Sequence, residues 1–161
     1  MKKFIYITFA FLFSTLFSGC DNGGDCNINN VSYYRIGFYN IDPETGKEVK
    51  YTFPETVNVS LVVNGQDSTI VNNITEATDL ALPMSYTNEC DTVIIEFGTI
   101  PDSLYVEHTN IPFFISMDCG TGMYHMITDI KQTGNLIDSV AVIYPQVNFD
   151  AHENIKLYIA Q

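Results

Sequence analysis

From Val31 onward, apolar residues recur at every second position, and this spacing restricts most of the chain to β-strands. In one run, Val57, Val59 and Leu61 alternate with Asn58 and Ser60. β-Branched and aromatic side chains dominate such runs, as expected of half-buried pleated surfaces. The alternation predicts about nine short strands, over residues 32–39, 57–63, 68–71, 93–97, 104–107, 113–116, 124–130, 137–144 and 155–159.

Turn-forming residues separate these runs. Asn64-Gly65 is a strong hairpin signal, and Pro43 with Gly46 predicts a turn across residues 42–46. Further turns are predicted at 98–102, 109–110 and 133–135, whereas residues 75–82 could hold a helical turn or two. Turns every 8–12 residues predict an all-β fold, a single antiparallel β-sandwich of immunoglobulin-like type.

Composition limits the classes of function. The chain has 161 residues, enough for one domain, and 46% are apolar, too many for a disordered protein. The formal net charge is −12. A nucleic-acid binder needs a basic surface, so nucleic acid is not an expected partner.

The N-terminus has the layout of a secretory signal. Lys2 and Lys3 precede an apolar stretch over residues 4–17, and Ser18-Gly19-Cys20 follows. Small residues directly before a cysteine resemble the bacterial lipobox, in which the cysteine is acylated and becomes the first residue. The expected organisation is a signal peptide at 1–19, a lipidated Cys20 with a flexible tether at 20–30, and a β-sandwich domain at 31–161. An ordinary cleavable signal and an uncleaved anchor are the alternatives.

Lipidation predicts where the mature protein is located. Several acyl chains on Cys20 satisfy the requirement for stable membrane anchoring. Loss of Lys2 and Lys3 makes the formal net charge more negative than −12, so the body is expected to stand off the membrane on its Gly-Gly tether. Attachment to the outer membrane is expected, and the membrane face stays open.

Three cysteines, Cys26, Cys90 and Cys119, remain for disulfide chemistry. We favour a Cys26–Cys119 disulfide, which leaves Cys90 free, and keep Cys90–Cys119 as the alternative. A Cys119 nucleophile with His125 as its base is a remote enzymatic alternative.

The C-terminal half contains Phe114-Ile115-Ser116 followed by Cys119-Gly120, and then Ile137-Asp138-Ser139. This order and spacing resemble a family of small uncharacterised Bacteroidetes lipoproteins, a domain of unknown function, across roughly residues 20–161. The family generally has a cysteine soon after the lipidated one, so the resemblance supports the Cys26–Cys119 pairing. It implies a location and a fold but no activity.

No catalytic, metal or cofactor site is predicted. The oxygen-bearing side chains of Asn40, Asp42, Glu44 and Glu48 loosely resemble a calcium loop but lack the EF-hand order, and a solvated hairpin tip is the simpler interpretation. His108, His125 and His152 lack zinc-ligand spacing, and strand-borne histidines at a sheet edge are expected. Aromatic residues at 33–39 could offer a stacking platform, although an outer ring resting on the sheet is more ordinary.

Four Asp-Ser or Asp-Thr pairs resemble the O-glycosylation acceptors of Bacteroidetes surface proteins. Their hydroxyl residues are the candidate modification sites Ser68, Thr92, Ser103 and Ser139. The alternative is that Asp-Ser simply ends a turn and begins a strand.

The expected function is a non-enzymatic binding or accessory module of an envelope complex, with an envelope protein or a glycan as ligand. A structural or fibre-like subunit is the alternative, since Ile155–Ile159 could act as an apolar edge strand that adds a partner strand. A hydrolase is a remote third possibility.

Overall fold

A computed structural model describes residues 31–160, and these fold into β-strands joined by turns and loops. The signal peptide and tether predicted over residues 1–30 lie outside the described part. No helix in residues 31–160 is long and apolar enough to cross a membrane. The strands are β1 Tyr33–Ile41, β2 Glu48–Lys50, β3 Val57–Val63, β4 Gln66–Ile74, β5 Asp79–Pro83, β6 Cys90–Phe97, β7 Ile100–Ser116, β8 Gly120–Gln132, β9 Ile137–Val142, β10 Gln146–Val147 and β11 Ile155–Ile159.

The strands form two packed sheets, so the predicted all-β sandwich is confirmed. The first sheet has the order β2-β1-β11-β9, with β5 also paired to β1. The second sheet has the order β10-β8-β7-β6-β3-β4. Strand pairs are antiparallel except β1 and β11, which run parallel from Ile36 opposite Ile155 to Tyr39 opposite Tyr158.

The hydrophobic core lies between the sheets and follows the alternation in the sequence. In β6, Val93 and Ile95 are fully buried, while Glu96 is exposed. An aromatic group closes one region of the core, with Phe53 stacked on Phe97 at 4.3 Å and Phe38 edge-on to Phe53 at 5.0 Å. Burial of apolar surface on this scale is the main driving force for folding.

Two predicted hairpin turns are present. Asn64 and Gly65 have φ of 53° and 75°, the left-handed pair that a tight turn between β3 and β4 requires. Gly46, with φ of 66°, closes the turn between β1 and β2. Glycine carries no steric penalty in this region of φ.

Strand β7 corrects one sequence prediction. The runs at 104–107 and 113–116 are one 17-residue strand, and the turn predicted at Thr109-Asn110 is wrong. Thr109 and Asn110 pair with Met126 and His125 of β8. The long cross-strand ladder thus overrides their local turn preference.

Two further predictions are wrong. Residues 75–82 contain no helical turn, because residues 79–83 form β5 and pair with β1. The expected edge strand Ile155–Ile159 is an interior strand, covered by β1 on one side and β9 on the other. The long edge strand among residues 31–160 is β4 instead, which pairs there with β3 alone and is exposed along almost its whole length.

Candidate functional site

An exposed apolar surface lies where the β7–β8 hairpin projects from the second sheet. The pairing of β7 with β6 ends at Glu107, and β7 then continues to Ser116 against β8. We call residues 111–123 the hairpin end. Phe114 is 65% exposed and Met117 is 89% exposed. Solvent-facing apolar side chains grouped in this way commonly mark an interaction surface.

Three aromatic rings support one side of the hairpin end. Phe113 stacks on Tyr124 with centroids 3.9 Å apart, and Phe149 meets these rings at 5.7 and 5.4 Å. The Phe113 ring lies close to Gly122, where an added Cβ would be 2.7 Å from its Cζ. Since successive strand residues point to opposite faces, Phe114 then projects away from this stack.

The hairpin end is nearly uncharged. Asp118 is the single Asp, Glu, Lys or Arg in residues 109–126, whereas the whole chain has 19 acidic and 7 basic residues. Almost all of the acidic residues therefore lie outside this stretch of the sequence. This surface therefore combines exposed apolar area with few charges, so little desolvation cost opposes its burial against an apolar partner.

The described chain begins beside the hairpin end. The buried Ser32 hydroxyl donates to the carbonyl oxygen of Met123 at 2.6 Å. A cavity of about 290 Å³ lies nearby, lined by Val31, Tyr33, Arg35 and residues 148–151. The N-terminal segment therefore joins the folded body at the same end from which the hairpin projects.

Two histidines that are distant in sequence meet in the interior. His108 of β7 and His125 of β8 are 2% and 1% exposed, and their rings lie edge to face at 5.4 Å. Both Nδ1 atoms lie within hydrogen-bond distance of Asn110 Oδ1, at 3.0 and 2.7 Å. The Asn110 Nδ2 group donates to the backbone oxygens of Tyr86 and Asn88, in the loop between β5 and β6.

This arrangement determines the proton positions on both rings. Asn110 Oδ1 can only accept, so each histidine donates from Nδ1 and, when neutral, leaves Nε2 without a proton. Both Nε2 atoms and the Tyr34 hydroxyl are buried without a hydrogen-bond partner among the described residues. His108 Nε2 lies 3.3 Å from Asp91 Oδ2, a contact that becomes an ion pair when His108 is protonated.

Burial controls the charge of this cluster. Desolvation and the neighbouring His108 lower the pKa of His125 to about 4, against a smaller opposing effect of Asp91. Burial, with a contribution from Asp91, raises the pKa of Tyr34 far above its ordinary value. His125 and Tyr34 are therefore neutral at neutral pH.

The position of the histidines corrects an expectation. His108 and His125 are core residues rather than histidines at a sheet edge, because the strand alternation turns both inward. His152 is exposed and lies against the Tyr144 ring at 4.9 Å. The signal that could have indicated the pair was that His108 and Asn110 continue the alternation of Leu104 and Val106 beyond the predicted end of that run.

Residues 56–159 match a family of unknown function, DUF6452. The chain belongs to this family. The match spans β3 through β11 and so includes the hairpin end and the buried histidine pair. No curated protein matches the chain, and no solved structure matches it.

The cysteines of this DUF6452 protein occupy different environments. Cys90 is a free, exposed thiol at the start of β6. Cys119 lies at the hairpin end and is not a free thiol. Cys20 and Cys26 lie outside the described residues, so lipidation and the Cys26–Cys119 pairing stay predictions.

The acidic loop in this member of the family has a structural role. Asp42 accepts hydrogen bonds from the Glu44 amide at 2.9 Å and the Thr45 hydroxyl at 2.7 Å, which closes the β1–β2 turn. Glu48 contacts Lys156 and Tyr158 instead of facing Asp42. Within residues 31–160, no three His, Cys, Asp or Glu side chains converge as a metal site.

The four candidate glycosylation residues all lie in strands. Ser68 in β4 and Ser139 in β9 are exposed, whereas Thr92 and Ser103 are half-buried in β6 and β7. The buried Asp102 next to Ser103 accepts four hydrogen bonds, from the Thr133 hydroxyl and the amides of residues 135–137. This aspartate anchors the β8–β9 loop.

The aromatic residues of β1 do not form one platform. Tyr34 and Phe38 are buried in the core, whereas Tyr33 is exposed and Tyr39 is half-buried. The Tyr39 ring has the Lys50 and Lys156 ammonium groups 4.6 and 4.7 Å from its centroid. These cations occupy positions that a stacking sugar would need.

Proposed function

We propose that this DUF6452 protein is a lipoprotein of the Bacteroidetes outer membrane, anchored through Cys20. In this proposal it acts as a non-enzymatic binding or accessory module of an envelope complex. The order of two lysines, an apolar stretch and small residues before Cys20 supports the anchor. The resemblance to small Bacteroidetes lipoproteins supports the location.

The observation that carries this proposal is the contact between Ser32 and Met123. It fixes the start of the described chain to the hairpin end, so a lipid anchor upstream attaches to one defined end of the sandwich. The sheet edge formed by β4 lies at the far side of the second sheet from β8. An anchored module with this layout presents β4 to other proteins.

The residues with catalytic potential are engaged in ways that favour a binding role. His108 and His125 are buried and share Asn110 as their acceptor. Cys119 is not a free thiol, and it lies six positions before His125 along extended chain, a span of roughly 20 Å. A nucleophile needs a base within hydrogen-bond reach.

We also propose the Cys26–Cys119 disulfide as part of this architecture. Cys90 is free in the structure and Cys119 is not, which supports a partner for Cys119 in the N-terminal segment. Such a bond would fasten the tether to the hairpin end. A long loop closed in this way stabilises the fold by about 4 kcal/mol in the chain-entropy model.

The exposure of Ser68 and Ser139 supports O-glycosylation of these two residues. Both are exposed on strands at the edges of the two sheets, so we propose them as the modified residues. Mass spectrometry of the native protein is expected to find a glycan at Ser68 or Ser139. Recovery of both residues unmodified would contradict the proposal.

A second candidate function is a fibre-like subunit that assembles by strand addition. Its supporting observation is β4, a nine-residue edge strand with exposed Ile70 and Ile74. Register shifts in its pairing with β3 and the exposed Asp67 disrupt this edge, and such features discourage strand addition. We therefore place the accessory-module proposal first.

Site-specific cross-linking in intact cells tests the proposed function. A photoreactive residue replaces Ile70 on β4, and the matched control replaces Thr128, an exposed residue on β8. We expect Ile70 to give one adduct with a single envelope protein and Thr128 to give none. A ladder of self-adducts at Ile70 would instead establish the fibre-like function, and no adduct at Ile70 would contradict both.

A further inference from the structure

We propose that the hairpin end is a lipid-contact surface that seats Phe114 and Met117 in the membrane to which the chain is anchored. This inference rests on the lipid anchor of the proposed function. It goes further by giving the folded body a fixed orientation. The occupant we assign to this surface is the interfacial layer of a phospholipid bilayer.

The shape and chemistry of the projection suit insertion into a bilayer. Residues 111–116 extend β7 beyond its pairing with β6, and the turn after them carries the exposed Met117. A phenylalanine and a methionine at the tip of a projecting hairpin can enter a bilayer without bringing the rest of the sheet with them. Apolar side chains of this kind gain favourable free energy when they are buried at the headgroup boundary.

The distribution of charge leaves the hairpin end free to approach lipid. An acidic body is repelled by anionic lipid, which is why the sequence predicts that it stands off the membrane. Asp118 is the single charged residue in 109–126, however, and the remaining 18 acids lie outside this stretch. The hairpin end can therefore contact the bilayer while the acidic surfaces remain in water.

The chain between the anchor and the body is short and starts beside this surface. Ten residues, 21–30, separate Cys20 from Val31. Fully extended, they span at most about 40 Å. The Ser32 hydroxyl is hydrogen-bonded to the Met123 carbonyl oxygen of the hairpin end. The tether therefore joins the folded body beside this surface. The opposite end of β7, at Ile100, lies fourteen residues from Phe114, or roughly 46 Å away.

The absence of tryptophan from the sequence provides a direct test. Phe114→Trp places a single reporter at the hairpin end. Tyr105→Trp is the matched control, since Tyr105 is another exposed aromatic of β7, nine residues earlier and about 30 Å along the strand. The acylated full-length protein is reconstituted into phosphatidylethanolamine–phosphatidylcholine vesicles with or without brominated acyl chains.

We expect bromine to quench the tryptophan emission of the Phe114→Trp protein about threefold more strongly than that of the Tyr105→Trp protein, as an interfacial position requires. Adding Met117→Asp to the Phe114→Trp protein is expected to remove most of this difference. Equal, weak quenching of the two single variants in vesicle-bound, acylated form would overturn the lipid-contact proposal alone. A chain isolated from cells without acyl groups at Cys20 would overturn the anchor and this proposal with it.

Discussion

His108 and His125 donate from their Nδ1 atoms to one shared acceptor, Asn110 Oδ1, at 3.0 and 2.7 Å. The same asparagine donates to two backbone oxygens of the β5–β6 loop. One half-buried side chain therefore joins β7, β8 and that loop, and it supplies the acceptor of two buried histidines. A network of this kind is destabilised when one member is removed, because buried polar groups then lose their partner.

Replacement of Asn110 is expected to destabilise the protein. Asn110→Ala removes the shared acceptor of both histidines and the Nδ2 donor that bonds the carbonyls of Tyr86 and Asn88. We expect the free energy of unfolding to fall by about 2–4 kcal/mol, measured by urea denaturation. Thr109→Ala, at an exposed neighbouring position, is the control and should cost less than about 1 kcal/mol. Equal losses in the two variants would contradict the network.

The lowered pKa of His125 predicts that the protein loses stability in mild acid. Its pKa is lowered from 6.5 to about 4 in the folded chain, so between these values the unfolded chain binds more protons. Stability is therefore greatest above pH 6.5 and falls as the pH approaches 4, by up to about 3 kcal/mol. His108, Asp91 and Tyr86 are ionisable groups near this ring.

Urea denaturation at a series of pH values measures this dependence. His125→Phe removes the titrating ring, so its free energy of unfolding should change less between pH 7 and pH 4 than that of the wild type. The reference variant is His152→Phe, which alters an exposed histidine and should retain the wild-type dependence. Identical profiles for wild type and His125→Phe would show that His125 does not control acid sensitivity.

The lowered pKa of Asp102 predicts a second loss of stability at lower pH. Burial raises its pKa, but hydrogen bonds from Thr133 and three backbone amides outweigh burial and hold the pKa below 3.8. The stabilisation is thus present above pH 3.8 and disappears as the pH falls through the folded pKa. Asp102→Asn, which replaces one of the two acceptor oxygens by an NH₂ donor, should cost about 3 kcal/mol at pH 7. Asp138→Asn, at an exposed site, should leave the urea midpoint nearly unchanged.

Substitution of Gly122 by a larger residue is expected to disrupt packing at the hairpin end. In Gly122→Val the new Cβ would lie 2.7 Å from Phe113 Cζ and 2.9 Å from Ile115 Cδ1. Overpacking of this kind costs about 1–3 kcal/mol, and the Phe113–Tyr124 stack should lose near-ultraviolet circular dichroism. Thr121→Val, on the exposed neighbouring position, should preserve the spectrum. An unchanged spectrum in Gly122→Val would contradict the observed stacking.

The cysteines predict a defined peptide map. Alkylation of the folded, unreduced protein should modify Cys90 alone, and slowly, because burial and Glu107 raise the pKa of its thiol. Non-reducing digestion should yield a peptide that joins Cys26 to Cys119. A peptide joining Cys90 to Cys119 would refute the proposed pairing.

The fold was predictable wherever side-chain alternation dominates. Strand β3 and the Asn64-Gly65 turn follow directly from the sequence, because burial of one face and a positive φ are local requirements. The length of β7 was not predictable, since its Thr109-Asn110 segment prefers a turn and is held extended by β8. The interior position of β11 depends on parallel pairing with β1, more than a hundred residues earlier.

The candidate site was predictable only in part. The sequence shows apolar residues near Phe114 and histidines on separate runs, yet it cannot show that His108 and His125 meet. Their convergence follows from the β7–β8 register, which pairs Asn110 with His125. The contact between Ser32 and Met123 spans 91 residues. No local pattern encodes a contact at that separation.

Lipid anchoring through Cys20 underlies both the proposed function and the orientation of the hairpin end, and mass spectrometry of the N-terminal peptide from membrane-extracted protein decides it. We expect the mature chain to begin at Cys20 and this residue to carry acyl chains. Cys20→Ala should abolish acylation, whereas Cys90→Ala, which alters the free thiol in β6, should retain it. A mature chain that begins elsewhere, or an unmodified Cys20, would contradict the anchor.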